Sequence, residues 1–128
     1  MSDARSFFDE VGGHDTFARL TADFYAGVAG DEILKPMYPE EDLEPARERL
    51  QLFLEQYFGG PTTYSDTRGH PRLRMRHHPY KINPDARERW LAHMTHAVDS
   101  LDLAPMQREV MMDYFTRAAT AMLNTFDD

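Results

Sequence analysis

The 128-residue sequence has no cysteine. Disulfides, thiolate catalysis, iron–sulfur clusters and cysteine-bound zinc are therefore excluded together. No apolar run approaches the roughly 18 residues of a membrane span, and the opening MSDARSFFDEVGG lacks the basic-then-apolar pattern of a secretory signal. These absences lead us to expect a cytoplasmic protein. Positive charge is scarce as well. Fourteen Lys and Arg stand against 22 Asp and Glu, a net charge of −8, which argues against nucleic-acid binding by the whole surface because phosphate contacts need cations. Alternating β-branched runs bounded by turns are missing too, so no strand is expected.

What is present reads as one all-α domain over residues 1–128, long enough to build a core unaided. Eight Met, eight Phe, six Tyr and one Trp supply broad and adaptable side chains; these suit either an irregular cavity or ordinary core filling. Proline and glycine divide the helices. A short helix over about 4–10 ends at Gly12-Gly13. Asp15 caps a second, with Phe17, Leu20, Phe24 and Val28 at helical spacing and Tyr25 beside them. Asp31 opens a short turn of helix that Pro36 and Pro39 stop. Glu44-Pro45 starts the next helix, with Ala46, Leu50, Phe53, Leu54 and Tyr57, and Gly59-Gly60-Pro61 ends it. Residues 61–71 read as loop. A brief helix is expected from Pro71 or Arg72 to the double histidine before Pro79. Asn83-Pro84 caps a long helix carrying Trp90, Leu91, Met94, Val98 and Leu101, and Pro105 begins the last.

Three groups of residues could carry chemistry. Among the six histidines, no pair has the i, i+4 spacing with an acid between that a helical zinc site would want. His93 and His96 read as helix surface. His77 falls in the last turn before Pro79, where its ring can stand on a packed face with one N–H bonded to a carbonyl one turn back, as metal-ligating histidines often do. The alternative for His77 and His78 is a solvent-facing pair favoured by the helix dipole. The second group is cationic. Arg68, Arg72, Arg74, Arg76 and Lys81 occupy a stretch without acids between Asp66 and Asp85. In an acidic chain this suits a cofactor carboxylate, a phosphate or an acidic partner, or simply a solvated loop. The third comprises Tyr25, Tyr38 and Trp90, each an apolar body with one X–H donor. They converge on one cavity or stand apart as core aromatics; spacing does not decide.

The glycine pairs VGG (11–13) and FGGP (58–61) accompany the segments DFYAGV (23–28), MYPEEDL (37–43), RLQLFLEQYFGGPTTYSDTRGHPRLRMRHHPYKI (49–82) and RERWLAHM (87–94). In these the chain resembles the group II truncated haemoglobins, the O-type bacterial globins, over almost its whole length. The resemblance implies a truncated globin fold, a two-over-two helical sandwich around haem b (iron protoporphyrin IX). It implies His77 as the iron ligand, with Tyr64, Arg74 and Arg76 near the haem propionates and Leu50, Phe53 and Met94 against the cofactor. Tyr25, Tyr38 and Trp90 match the family's distal polar residues. Ala46 and Leu50 fall where other globins often place a distal histidine or glutamine, so that face is apolar here.

The function implied is binding of O2, and also CO and NO, at ferrous iron. Two or three hydrogen-bond donors imply slow O2 release, which fits oxygen binding, sensing or scavenging. An alternative on the same cofactor is a redox enzyme, reducing peroxide or oxidising NO with O2 and served by a separate reductase, although no dedicated acid/base pair argues for catalysis. A third reading is a haem-free helical module whose basic loop binds an acidic partner; a Soret band in the purified protein would remove it. Some members of such a family assemble into homo-oligomers, but this surface carries no stripe that foretells it.

Overall fold

Helix starts coincide with the proline and cap signals. The computed structural model describes residues 6–38, 41–69 and 82–123. Helix α1 spans Phe7–Glu10, α2 His14–Ala29, α3 Glu44–Tyr57, α4 Thr63–Arg68, α5 Pro84–Ser100 and α6 Pro105–Ala121, with a 3-10 turn at Lys35–Met37. Asn83 caps α5, its side chain accepting from the Ala86 amide at 2.9 Å. Proline occupies the first turn of α3, α5 and α6, where its missing N–H has no partner to lose.

Three boundaries differ from expectation. Helix α1 begins at Phe7 because Ser6 caps it, accepting from the Asp9 amide at 3.2 Å. Helix α2 is entered through Gly13 at φ 69°, not through an Asp15 cap. Asp15 lies in the first turn, where a carboxylate still favours the positive end of the dipole. Residues 61–71 are not all loop, since they contain α4. Its anchor is tertiary: Gln56 accepts from the Ser65 amide at 2.9 Å and donates to the Ser65 hydroxyl at 2.6 Å. The brief helix expected after Pro71 lies outside the described residues.

Helix α2 packs on both α3 and α5, and α5 packs on α6, so an α2–α3 layer lies over an α5–α6 layer. Phe17, Leu20, Phe24 and Val28 form the centre of the core and are fully buried, as are Met94, Ala97 and Met111 from the facing layer. Burying one such side chain contributes about 1.5–3 kcal/mol. Helix α3 is turned by a polar ladder on its α2 side. Arg47 donates to Gln51 and, at 3.3 Å, to Thr21. Buried Glu55 accepts from Gln51 at 2.9 Å and from His14 at 2.8 Å. Because those polar groups need partners in a dry interface, the apolar stripe of α3 faces the other way.

Candidate functional site

That apolar stripe faces a cavity of about 480 Å³, within the roughly 300–1,000 Å³ usual for small-molecule and cofactor sites. Its wall is built from every major segment. Tyr25 comes from α2, Leu34, Met37 and Tyr38 from the turn, and Ala46, Leu50 and Phe53 from α3. Tyr64 comes from α4, Trp90 from α5, and Tyr114 with Phe115 from α6. Seven of the residues singled out in the sequence (Tyr25, Tyr38, Ala46, Leu50, Phe53, Tyr64 and Trp90) therefore meet on one void. Met94 does not: it is fully buried in the core and absent from the wall. His77, His78, Arg74 and Arg76 lie outside the described residues. Arg68 and Ile82, described residues on either side of the stretch containing them, both line the cavity.

The three donors are held by edge-to-face aromatic contacts, the arrangement ring quadrupoles favour. Tyr25 and Tyr38 stand 5.6 Å apart between centroids at 79°. Phe24 touches two of the three, 4.9 Å from Tyr25 and 5.4 Å from Trp90. Burial pushes the Tyr38 phenol above its ordinary value, opposed by a hydrogen bond with Tyr25 and the charge of Arg49. The net rise keeps it a neutral donor at physiological pH. Tyr64 is buried and packs on Phe53 at 5.5 Å. The pocket thus joins an apolar α3 wall to hydroxyl and indole groups on the opposite side.

Two cations of the wall escaped the sequence reading, Arg49 and Arg87; Arg68 was among the cations it counted. Arg49 is three residues from Ala46, and Arg87 three before Trp90, so the i, i+3 rule could have found each. Arg87 is engaged with Thr120 at 3.0 Å and Glu88 at 2.6 Å. Tyr114 also reaches the wall. Its phenol is pushed up to about 12, by burial first and by neighbouring Tyr57, against the opposing charge of Arg117. Among the described residues no three His, Asp or Glu side chains gather as a metal cluster. His14 pairs with Glu55 and His96 with Asp23. His93 corrects the expectation of a plain surface residue. It is only one-quarter exposed and bonds the buried carboxylate of Asp31 at 2.8 Å.

This arrangement fits a flat, largely apolar cofactor bearing carboxylates. Apolar walls would flank it, arginines at the rim would take its anionic groups, and neutral donors would remain to meet a small ligand beside it. Comparison with known proteins points the same way. The bacterial-like globin family matches residues 6–124. The group 2 truncated haemoglobin of Bacillus subtilis is 37% identical over 115 residues, covering 90% of this chain and 86% of that protein. The X-ray structure of a thermostable haemoglobin from the actinobacterium Thermobifida fusca superposes with a TM-score of 0.93 at 56% identity, covering 96% of this chain and all of that one. A truncated oxygen-avid haemoglobin structure from Bacillus subtilis gives a TM-score of 0.87 at 33% identity, covering 94% and 100%.

Proposed function

The chain belongs to the bacterial-like globins and, among them, to the group 2 truncated haemoglobins, and from that premise we propose that it binds haem b in this cavity and holds O2 there with slow release. Haem, when bound, supplies an iron with one coordination position open to O2, CO or NO. The observation that carries the reading is the convergence of Tyr25, Tyr38 and Trp90 on one cavity wall. Each presents a neutral X–H group from a ring fixed by its neighbours, so little reorganisation precedes donation.

Ala46 and Leu50 exclude water from the opposite side and offer no competing acceptor. Arg49 and Arg68, with Arg74, Arg76 and Tyr64, are assigned to the haem carboxylates, and His77 to the iron. A hydrogen bond to a charged acceptor contributes roughly 1.5–3 kcal/mol, and about 1.4 kcal/mol is a factor of ten. Two or three donors therefore retard O2 release by orders of magnitude, while CO, a poor acceptor, gains far less. Slow release suits sensing or scavenging better than delivery. The oxygen-avid relative from Bacillus subtilis is in keeping with this. Re-reduction of oxidised iron requires an electron donor, assigned here to a reductase in the same cytoplasmic compartment.

The deciding experiment measures O2 dissociation from the ferrous protein and from Tyr38→Phe and Trp90→Phe. At least one substitution accelerates release about tenfold or more; unchanged rates in both sink the donor argument. His77→Gly loses the normal haem spectrum and regains it with imidazole, whereas His78→Gly keeps it.

A further inference from the structure

Asp31 is distant in sequence from Trp90, yet its carboxylate joins the two segments that carry Tyr38 and Trp90. Its side chain is about 5% exposed. Oδ1 accepts from the Ile33 amide at 2.9 Å and the Leu34 amide at 3.1 Å. The same oxygen accepts from Arg89 at 3.1 Å, while Oδ2 accepts from His93 Nε2 at 2.8 Å. An ionised carboxylate only accepts, so His93 carries its proton on Nε2.

On one side these bonds stiffen the turn. The Asp31 carbonyl accepts from Lys35, that of Leu34 from Met37, and that of Lys35 from Tyr38, in a run of main-chain bonds of 2.9–3.1 Å that only Pro36 interrupts. Leu34, Met37 and Tyr38 at the end of that run all line the cavity. On the other side, Arg89 directly precedes Trp90, and His93 stands one helical turn beyond it. Gly27 closes the arrangement: a Cβ there would overlap His93 Nδ1 and lie 3.0 Å from Cγ, so the absence of a side chain lets the ring seat against α2. Ile33, Arg89 and His93 are not part of the cavity wall, and Leu34 gives Asp31 its backbone amide. The effect of these bonds is on where the cavity's own donors stand.

We propose that Asp31 is a positioning residue that sets the spacing between the Tyr38 hydroxyl and the Trp90 indole, and through that spacing the rate at which the cavity releases O2. This rests on the O2-binding reading above. Loss of the carboxylate frees the turn from α5, and the two donors cease to meet one ligand at the same time. Asp31→Asn separates the two halves of the device. The amide oxygen still accepts from Ile33 and Leu34, but the amide nitrogen cannot accept from His93, and the charge facing Arg89 is gone.

The test uses the haem-loaded protein, with O2 dissociation rates and the CO stretching frequency as readouts. Asp31→Ala accelerates O2 release about tenfold and shifts the CO stretch, and Asp31→Asn does so less. Both effects vanish when Tyr38 and Trp90 are already phenylalanine, because a positioning residue has then nothing to position. Asp23→Asn is the control. It breaks the Asp23–His96 pair at 2.8 Å, which joins α2 to α5 away from the turn, and leaves both readouts unchanged. The proposal is overturned if Asp31→Asn and His93→Leu, correctly folded, release O2 at the parent rate. It is equally overturned if acceleration persists in the double-phenylalanine background, or if Asp23→Asn matches it. Should Asp31→Ala fail to fold, the other pair, Asp31→Asn and His93→Leu, decides between these outcomes. A parent that shows no Soret band with haem overturns the binding reading itself, and this proposal with it; a parent with slow release and unresponsive Asp31 variants overturns only the assignment to Asp31.

Discussion

Asp31 couples the stability of this fold to acid. Burial alone would push this carboxyl up, but the bonds from His93, the Leu34 and Ile33 amides and Arg89 outweigh burial and bring it from an ordinary 3.8 down to about 2. The sign follows from proton counting. Between those two values the unfolded chain binds a proton at Asp31 that the folded chain refuses, so stability rises with pH across that window. The contribution is complete above the unfolded value and is lost as pH falls toward the folded one. At about 1.36 kcal/mol per unit, the full contribution is on the order of 2–2.5 kcal/mol, and roughly 1 kcal/mol of it has gone by about pH 3. For a protein of this size that is a large fraction of net stability. The assay is urea unfolding of parent and Asp31→Asn at about pH 6 and about pH 3, followed by circular dichroism. The parent loses about 1 kcal/mol more than the variant between the two conditions. Parallel losses would show that the carboxylate is not stabilised by its four partners, and would remove the physical basis for assigning it a positioning role.

Further outcomes follow from other contacts. Gly27→Ala gains up to about 1 kcal/mol of helix propensity yet drives a methyl into the His93 ring; net destabilisation by about 1 kcal/mol is expected from overpacking, and a rise in Tm would show that His93 gives way freely. Arg49→Gln removes a cation from the cavity wall and should speed haem transfer to an apoglobin acceptor, about tenfold for one lost charge-assisted bond; unchanged transfer would place the haem carboxylates elsewhere. Tyr114, held up to about 12, stays neutral well above its ordinary value, so an ultraviolet pH titration of Tyr114→Phe should lose a phenolate step at about 12. Since the unfolded phenol ionises first, that residue also makes stability fall as pH rises through its ordinary value of 10.0 and on toward about 12.

The helices were legible because their signals are local. Pro45, Pro84 and Pro105 mark helix starts, and Phe17, Leu20, Phe24 and Val28 repeat at a period that admits one conformation and one buried face. Helix α4 escaped because TYSDTR offers one buried apolar residue, Tyr64, and its anchor is Gln56, nine residues before Ser65. The candidate site was legible in part. Tyr25, Tyr38 and Trp90 stood out as donors on three segments, but nothing in their spacing placed them round one void. Arg49 and Tyr114 were not read as site residues, because a charged or apolar position on an amphipathic helix becomes a cavity residue only when the facing helix is in place.

By itself, then, the sequence determined which segments coil, which faces they bury, and which family motifs they carry. Those properties depend on contacts within a few residues and on side-chain chemistry that travels with the chain. The cavity, the meeting of its donors and the bonds from Asp31 to Arg89 and His93, 58 and 62 residues away, were decided only by tertiary structure. A void belongs to no residue, and a carboxylate gives up its water for partners that only the packing of α2 against α5 brings within reach.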